Sequence, residues 1–155
     1  MNAPKHEIID GCRSEDNVRI DVKDAATGKV LHTYTEHNLV VNAGKDLLRD
    51  FLHGDAVTGL THFGVGNGTT LPALSQTNLV GASTYRFAVS ALVKTAQQLQ
   101  VVHGLGIGDA NGTTLTECGV FTAIAAGTMY CRATHTGIAK TAGITITYTW
   151  NLTWE

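Results

Sequence analysis

The chain closes on an unbroken alternation. Ile144, Ile146, Tyr148, Trp150, Leu152 and Trp154 are apolar or aromatic, and Thr145, Thr147, Thr149, Asn151, Thr153 and Glu155 are polar. Successive side chains of a strand point to opposite faces, so the segment predicts one long strand with a buried face and a wet face. At ~3.3 Å per residue it extends to roughly 40 Å, well beyond the usual strand of about 5–6 residues. Tyr148, Trp150, Leu152 and Trp154 become core or assembly residues. Left bare, such a strand is an aggregation edge, so a second layer or another subunit must cover it.

The same period recurs upstream. Val18, Ile20 and Val22 alternate with Arg19, Asp21 and Lys23, residues 24–28 read as a turn, and 29–35 return, which predicts a hairpin over 17–36. Residues 38–41 continue as a short extended segment. At Leu47, Leu48, Phe51 and Leu52 the spacing turns helical and predicts one α-helix over about 43–53, its apolar stripe laid across the β-layer. Asn42 stands where an N-cap would, Asp46 adds negative charge near the positive end, and His53 and Gly54 read as last turn and C-cap. Residues 60–65 form the next expected strand. Residues 85–91 are expected to pair with 98–106, and 115–123 with 128–136 around Ala125-Ala126-Gly127. The sum is a mainly β chain: an antiparallel sandwich or jelly-roll-like body of about eight strands with one helix. Residues 1–15, where Pro4 and Gly11 stand among charges, read as an N-terminal arm, and 16–155 as a single sandwich domain.

Composition narrows the partners. Only 15% of the 155 residues are charged and the net charge is −2, against a usual charged fraction of ~25%. No basic field recommends nucleic acid or an anionic membrane surface as a partner. No apolar run approaches the ~20 residues that span a bilayer. Residues 1–13 lack the apolar centre of a signal peptide, so synthesis and folding in a cytoplasm are expected. A surface poor in Lys and Glu and rich in Thr, Ala and Gly suits burial between subunits. The three cysteines cannot all pair within the chain. Cys118 and Cys131 read as small buried residues of strands, and Cys12 is open to pairing between chains in an oxidising medium.

Candidate chemistry is thin. The glycine run at 64–68 lacks the Gly-Lys-Ser/Thr ending of a phosphate loop, and Leu71-Pro72-Ala73 opens no helix there, so a glycine-rich turn is the expectation. Asp109 and Asn111-Gly112 resemble part of a calcium loop without its other carboxylates, Glu117 alone being near. Cys118, Cys131 and His135, with His103 on another strand, lack the close local pairs of a structural zinc site. No nucleophile elbow is present. Asp46, Asp50 and Asp55 read as helix solvation. No catalytic, metal or cofactor residues are assigned, and a non-enzyme is expected. Residues 64–71 are echoed, with an insert, by 106–115, which reads as shared loop chemistry rather than a repeat.

Five stretches carry a resemblance. They are His37-Asn38-Leu39-Val40-Val41-Asn42-Ala43-Gly44, then 60–70, then Leu115-Thr116-Glu117-Cys118-Gly119-Val120-Phe121, then Gly127-Thr128-Met129-Tyr130-Cys131-Arg132-Ala133-Thr134, and Ile138-Ala139-Lys140-Thr141. In order and spacing, over about 35–155, the chain resembles a family of small phage virion proteins of the tail-fibre, baseplate or structural kind. Cys118 and Cys131 depart from that pattern, which has ordinary small or apolar residues there. The resemblance implies assembly rather than chemistry. It implies a bacteriophage virion protein made in the host cytoplasm, homo-oligomeric, docked on other virion proteins. A place at the tail or baseplate periphery leads. The alternative is a capsid decoration, or cement, protein bridging capsomers of the major capsid protein. A host-glycan-binding module is a further alternative, for which exposed aromatics beside Asp and Asn on a loop would be expected. In either virion placement the arm can order on a neighbouring subunit.

Overall fold

The computed structural model describes residues 16–153. Its elements are β1 (Asn17–Asp24), β2 (Val30–His37), β3 (Leu39–Val40), α1 (Asn42–His53), β4 (His62–Gly66), β5 (Thr84–Ala88), β6 (Ala91–Thr95), β7 (Gln98–Leu105), β8 (Thr114–Phe121), β9 (Met129–Ala139) and β10 (Ile144–Thr153). They form two five-stranded antiparallel sheets, ordered β2-β1-β10-β7-β6 and β3-β9-β8-β4-β5. The expected mainly β sandwich is therefore the fold, with ten strands among the described residues where about eight were expected.

The terminal strand is covered on both sides and on one face. β10 lies in the middle of the first sheet, with Trp150 opposite Val18 on β1 and Val101 on β7. Ile146, Tyr148, Trp150 and Leu152 are buried, as the alternation predicts. Val18, Ile20 and Val22 join them from β1. The second sheet answers with two ladders that face the first: Phe63–Val120–Cys131 and Val65–Cys118–Ala133. Both cysteines thus sit in the inter-sheet core, and burial pushes their thiols well up, so they act there as small apolar groups.

The outer face of the second sheet is covered as well. Leu79 from the long β4–β5 connection packs with Val41, Phe121 and Met129 in a second cluster. Gly64 and Gly119 leave room for it, since a Cβ at either would crowd the Phe121 ring and Leu79.

Four expectations need correction. The run 85–91 is not one strand: β5 pairs with β4 in the second sheet and β6 with β7 in the first. The chain changes sheets at Val89 and Ser90, whose amides donate to Thr61 and Val102 respectively. The helix cap is Val41, and no side chain caps it; Asn42 is the first helical residue and its amide donates to the Leu74 carbonyl instead. Asp46 falls beyond the first turn. Finally, the stripe Leu47, Leu48, Phe51, Leu52 is not a buried face. Leu47 and Leu48 are half-buried, Phe51 is 65% exposed and Leu52 82% exposed. The helix approaches the sheet through Gly44, where a Cβ would overlap the Tyr130 carbonyl oxygen. The closest approach is thus at the first turn, and the last turn stands clear. Its C-cap is as expected, Gly54 adopting the left-handed conformation at φ 95°. Trp154 and the arm, 1–15, lie outside the described residues.

Candidate assembly surface

Leu152 is brought together with Leu47 and Leu48 at one end of the sandwich, and there the core opens to solvent. A groove of about 490 Å³ runs between α1, the segment 57–60 and the β6–β7 turn. Leu47, Leu48 and Phe51 form one wall, Leu60 and Leu99 face them, and Leu152 lies at the end of the terminal strand. Among the described residues Lys94 is the one charged side chain lining it. Tyr148 and Trp150 do not reach the groove; they are core. Leu52 turns away from it.

Among the described residues, the first sheet ends in two strands, β2 and β6, with no further strand beyond them. β6 is exposed at every residue, with Leu92 at 47% and Val93 at 44%. β2 carries Val30 and Leu31, each 45% exposed, at the opposite edge. An edge strand presents unpaired backbone groups, and natural chains blunt such edges with charge or cover them. Here the blunting is slight: Lys94 on one edge and Glu36 on the other. These four apolar residues were missed in the sequence. The available signal was the lack of alternation in Ala91-Leu92-Val93-Lys94-Thr95, where two adjacent apolar side chains cannot share one buried face.

The polar residues singled out in the sequence have structural partners. Glu117 and Arg132 form a fully buried ion pair in which Arg132 Nη2 and Nε both donate to Glu117 Oε2, at 2.7 and 3.0 Å. The same carboxylate accepts from the amides of Gly68, Val80 and Gly81. A Cβ at Gly66, Gly68 or Gly81 would meet its oxygen at 2.5–2.8 Å. Gly66 and Gly68 of that run, together with Gly81, thus let backbone close on Glu117. The echo at 106–115 does something else: Lys140, itself buried, donates to Asn111 Oδ1 at 3.0 Å, while Asp109 accepts from Gly106. An ammonium group thus holds the loop that resembled a calcium site.

Two buried histidines have their Nδ1 atoms engaged. His103 stacks between Phe63 and Phe87 at 5.5 and 5.1 Å, and its Nδ1 donates to the Ala88 carbonyl. His135 donates from Nδ1 to the Thr136 carbonyl, and its Nε2 lies 3.5 Å from the Tyr148 hydroxyl. Burial lowers the pKa of both imidazoles. Among the described residues no three His, Cys, Asp or Glu side chains gather as metal ligands.

Comparison of the chain with protein-family models, with curated proteins and with solved structures finds no match.

Proposed function

We propose that this chain is a non-enzymatic virion structural protein that self-associates and docks on the particle, at the tail or baseplate periphery. The carrying observation is the first sheet: among the described residues both edges are unpaired, each bears exposed aliphatic side chains, and an apolar groove opens beside one of them. Such a surface in a weakly charged chain favours contact with protein, and edge strands extend readily into a neighbour's sheet. The resemblance of residues 35–155 to small phage virion proteins supplies the particle.

Sedimentation or native mass measurement of the purified chain tests self-association. An oligomer is expected, and Leu92→Lys with Val93→Lys should reduce it to monomer while the β circular-dichroism signal persists. A monomer in the unaltered chain sinks this reading. Antibody labelling of phage particles then tests placement: signal at the tail is expected, whereas signal over the head moves the protein to the capsid as a decoration protein.

A further inference from the structure

A second pocket, of about 600 Å³, opens on the outer face of the second sheet between β5, the start of α1 and the 122–128 turn. Its charge is Arg86. The guanidinium sits over the Phe121 ring, its carbon 3.6 Å from the ring centroid. Nη1 donates to the Ala123 carbonyl at 3.0 Å and Nη2 to Asn78 Oδ1 at 2.9 Å. These neutral acceptors and the ring fix its orientation. They engage two of the five N–H groups that a guanidinium carries.

Arg86 differs from the other described arginines. Arg19, Arg49 and Arg132 each pair with a carboxylate, and Arg86 has none within 4.0 Å among the described residues. Burial disfavours its charge, and no acid among the described residues offsets this. Around it the pocket is lined by the hydroxyl-bearing Thr77, Thr122 and Thr128 and by small residues. Thr122 Oγ1 accepts from the Thr128 amide, which shapes the turn. Ala126 in that turn holds a left-handed φ of 59°, a strained conformation for a residue with a Cβ. The first turn of α1 borders the pocket at Ala43 and carries no acid, so nothing negative there competes for the guanidinium.

We propose that this pocket is an oxyanion site, taking the carboxylate or phosphate group of a small ligand, with Arg86 as the fixed positive fork and Thr77 and Thr128 as neighbouring hydroxyl donors. A preoriented guanidinium with free N–H groups suits either anion, because both accept two parallel hydrogen bonds. The site does not depend on the virion reading.

Titration of the full chain with acetate, glucuronate and inorganic phosphate, each against chloride at matched ionic strength, tests it. The readout is the NMR signal of Arg86 Nε–H and of the amides at 122–128. Saturable shifts with at least one of the three are expected. Acetate and glucuronate report a carboxylate site, a preference for glucuronate adds polyol contacts, and phosphate alone reports a phosphate site. Arg86→Gln should weaken binding by about tenfold or more. If that variant fails to fold, Arg86→Lys keeps the charge and loses the fork, and weaker binding is again expected. Linear, non-saturating shifts with all three anions overturn the proposal, as does saturation that survives either substitution.

Discussion

At the scale of single residues, the Glu117 carboxylate gathers five hydrogen bonds among the described residues. It receives three backbone amides from the β4–β5 connection and two bonds from Arg132. Removing one partner of a buried, hydrogen-bonded ion pair leaves the other charged and unpaired, which typically costs about 3–5 kcal/mol. Glu117→Ala should show that loss in denaturant unfolding and should make residues 67–83 sensitive to protease. Unchanged stability would contradict the role. The two buried imidazoles predict a pH response. Burial holds both below the ordinary value of 6.5. The unfolded chain therefore binds these protons first as pH falls. Their stabilising effect is complete above 6.5 and is lost as pH drops through 6.5 toward the folded values. Asp109 acts on His103, and Glu117 on His135, in the opposite, weaker sense. Unfolding followed above and below pH 6.5 should show this slope, and His103→Phe should flatten part of it.

At the scale of elements, the helix and the sheet crossing show where pattern and packing part. The 47–52 stripe has helical spacing, and the helix exists, but spacing says nothing of how near its axis comes to the sheet. Gly44 decides that. Gly44→Ala places a methyl group against the Tyr130 carbonyl and should cost about 1–3 kcal/mol through overpacking, read in thermal unfolding. Leu52→Glu, by contrast, should change stability by less than ~0.5 kcal/mol, as exposed positions do. The division of β5 from β6 was equally illegible. The alternation of Tyr85, Phe87 and Val89 continues through Ala91 without a break, yet Val89 bonds to one sheet and Ser90 to the other. Alternation records which face a side chain takes and is silent on which neighbour its backbone meets.

At the scale of the whole molecule, the sandwich buries β10 and, among the described residues, leaves aliphatic side chains exposed on both edge strands of the first sheet. β10 needs no partner chain, because β1 and β7 flank it and the second sheet packs on its face. In the assembly proposed above, the contacts fall instead on β2, β6 and the groove beside α1. Contacts there would be aliphatic and backbone-mediated. Raising the salt concentration should therefore leave self-association unchanged or strengthen it, since screening weakens ionic contacts and salting-out favours apolar burial. Dissociation on adding moderate salt, seen by light scattering, would point to a charged interface elsewhere.

The sequence alone determined what depends on near neighbours along the chain. The period of two at 144–153, the hairpin at 17–36, the hairpin around 125–127 and the left-handed stop at Gly54 are all local in origin, and a sandwich is the body such strands build. Tertiary structure decided what depends on residues far apart. Glu117 meets Gly68 and Gly81 across 49 and 36 positions. Arg86 rests on Phe121, and Leu152 opens onto a groove walled by Leu48. No periodicity encodes these meetings, because each is fixed by the space left when two sheets, a helix and a long connection pack at once.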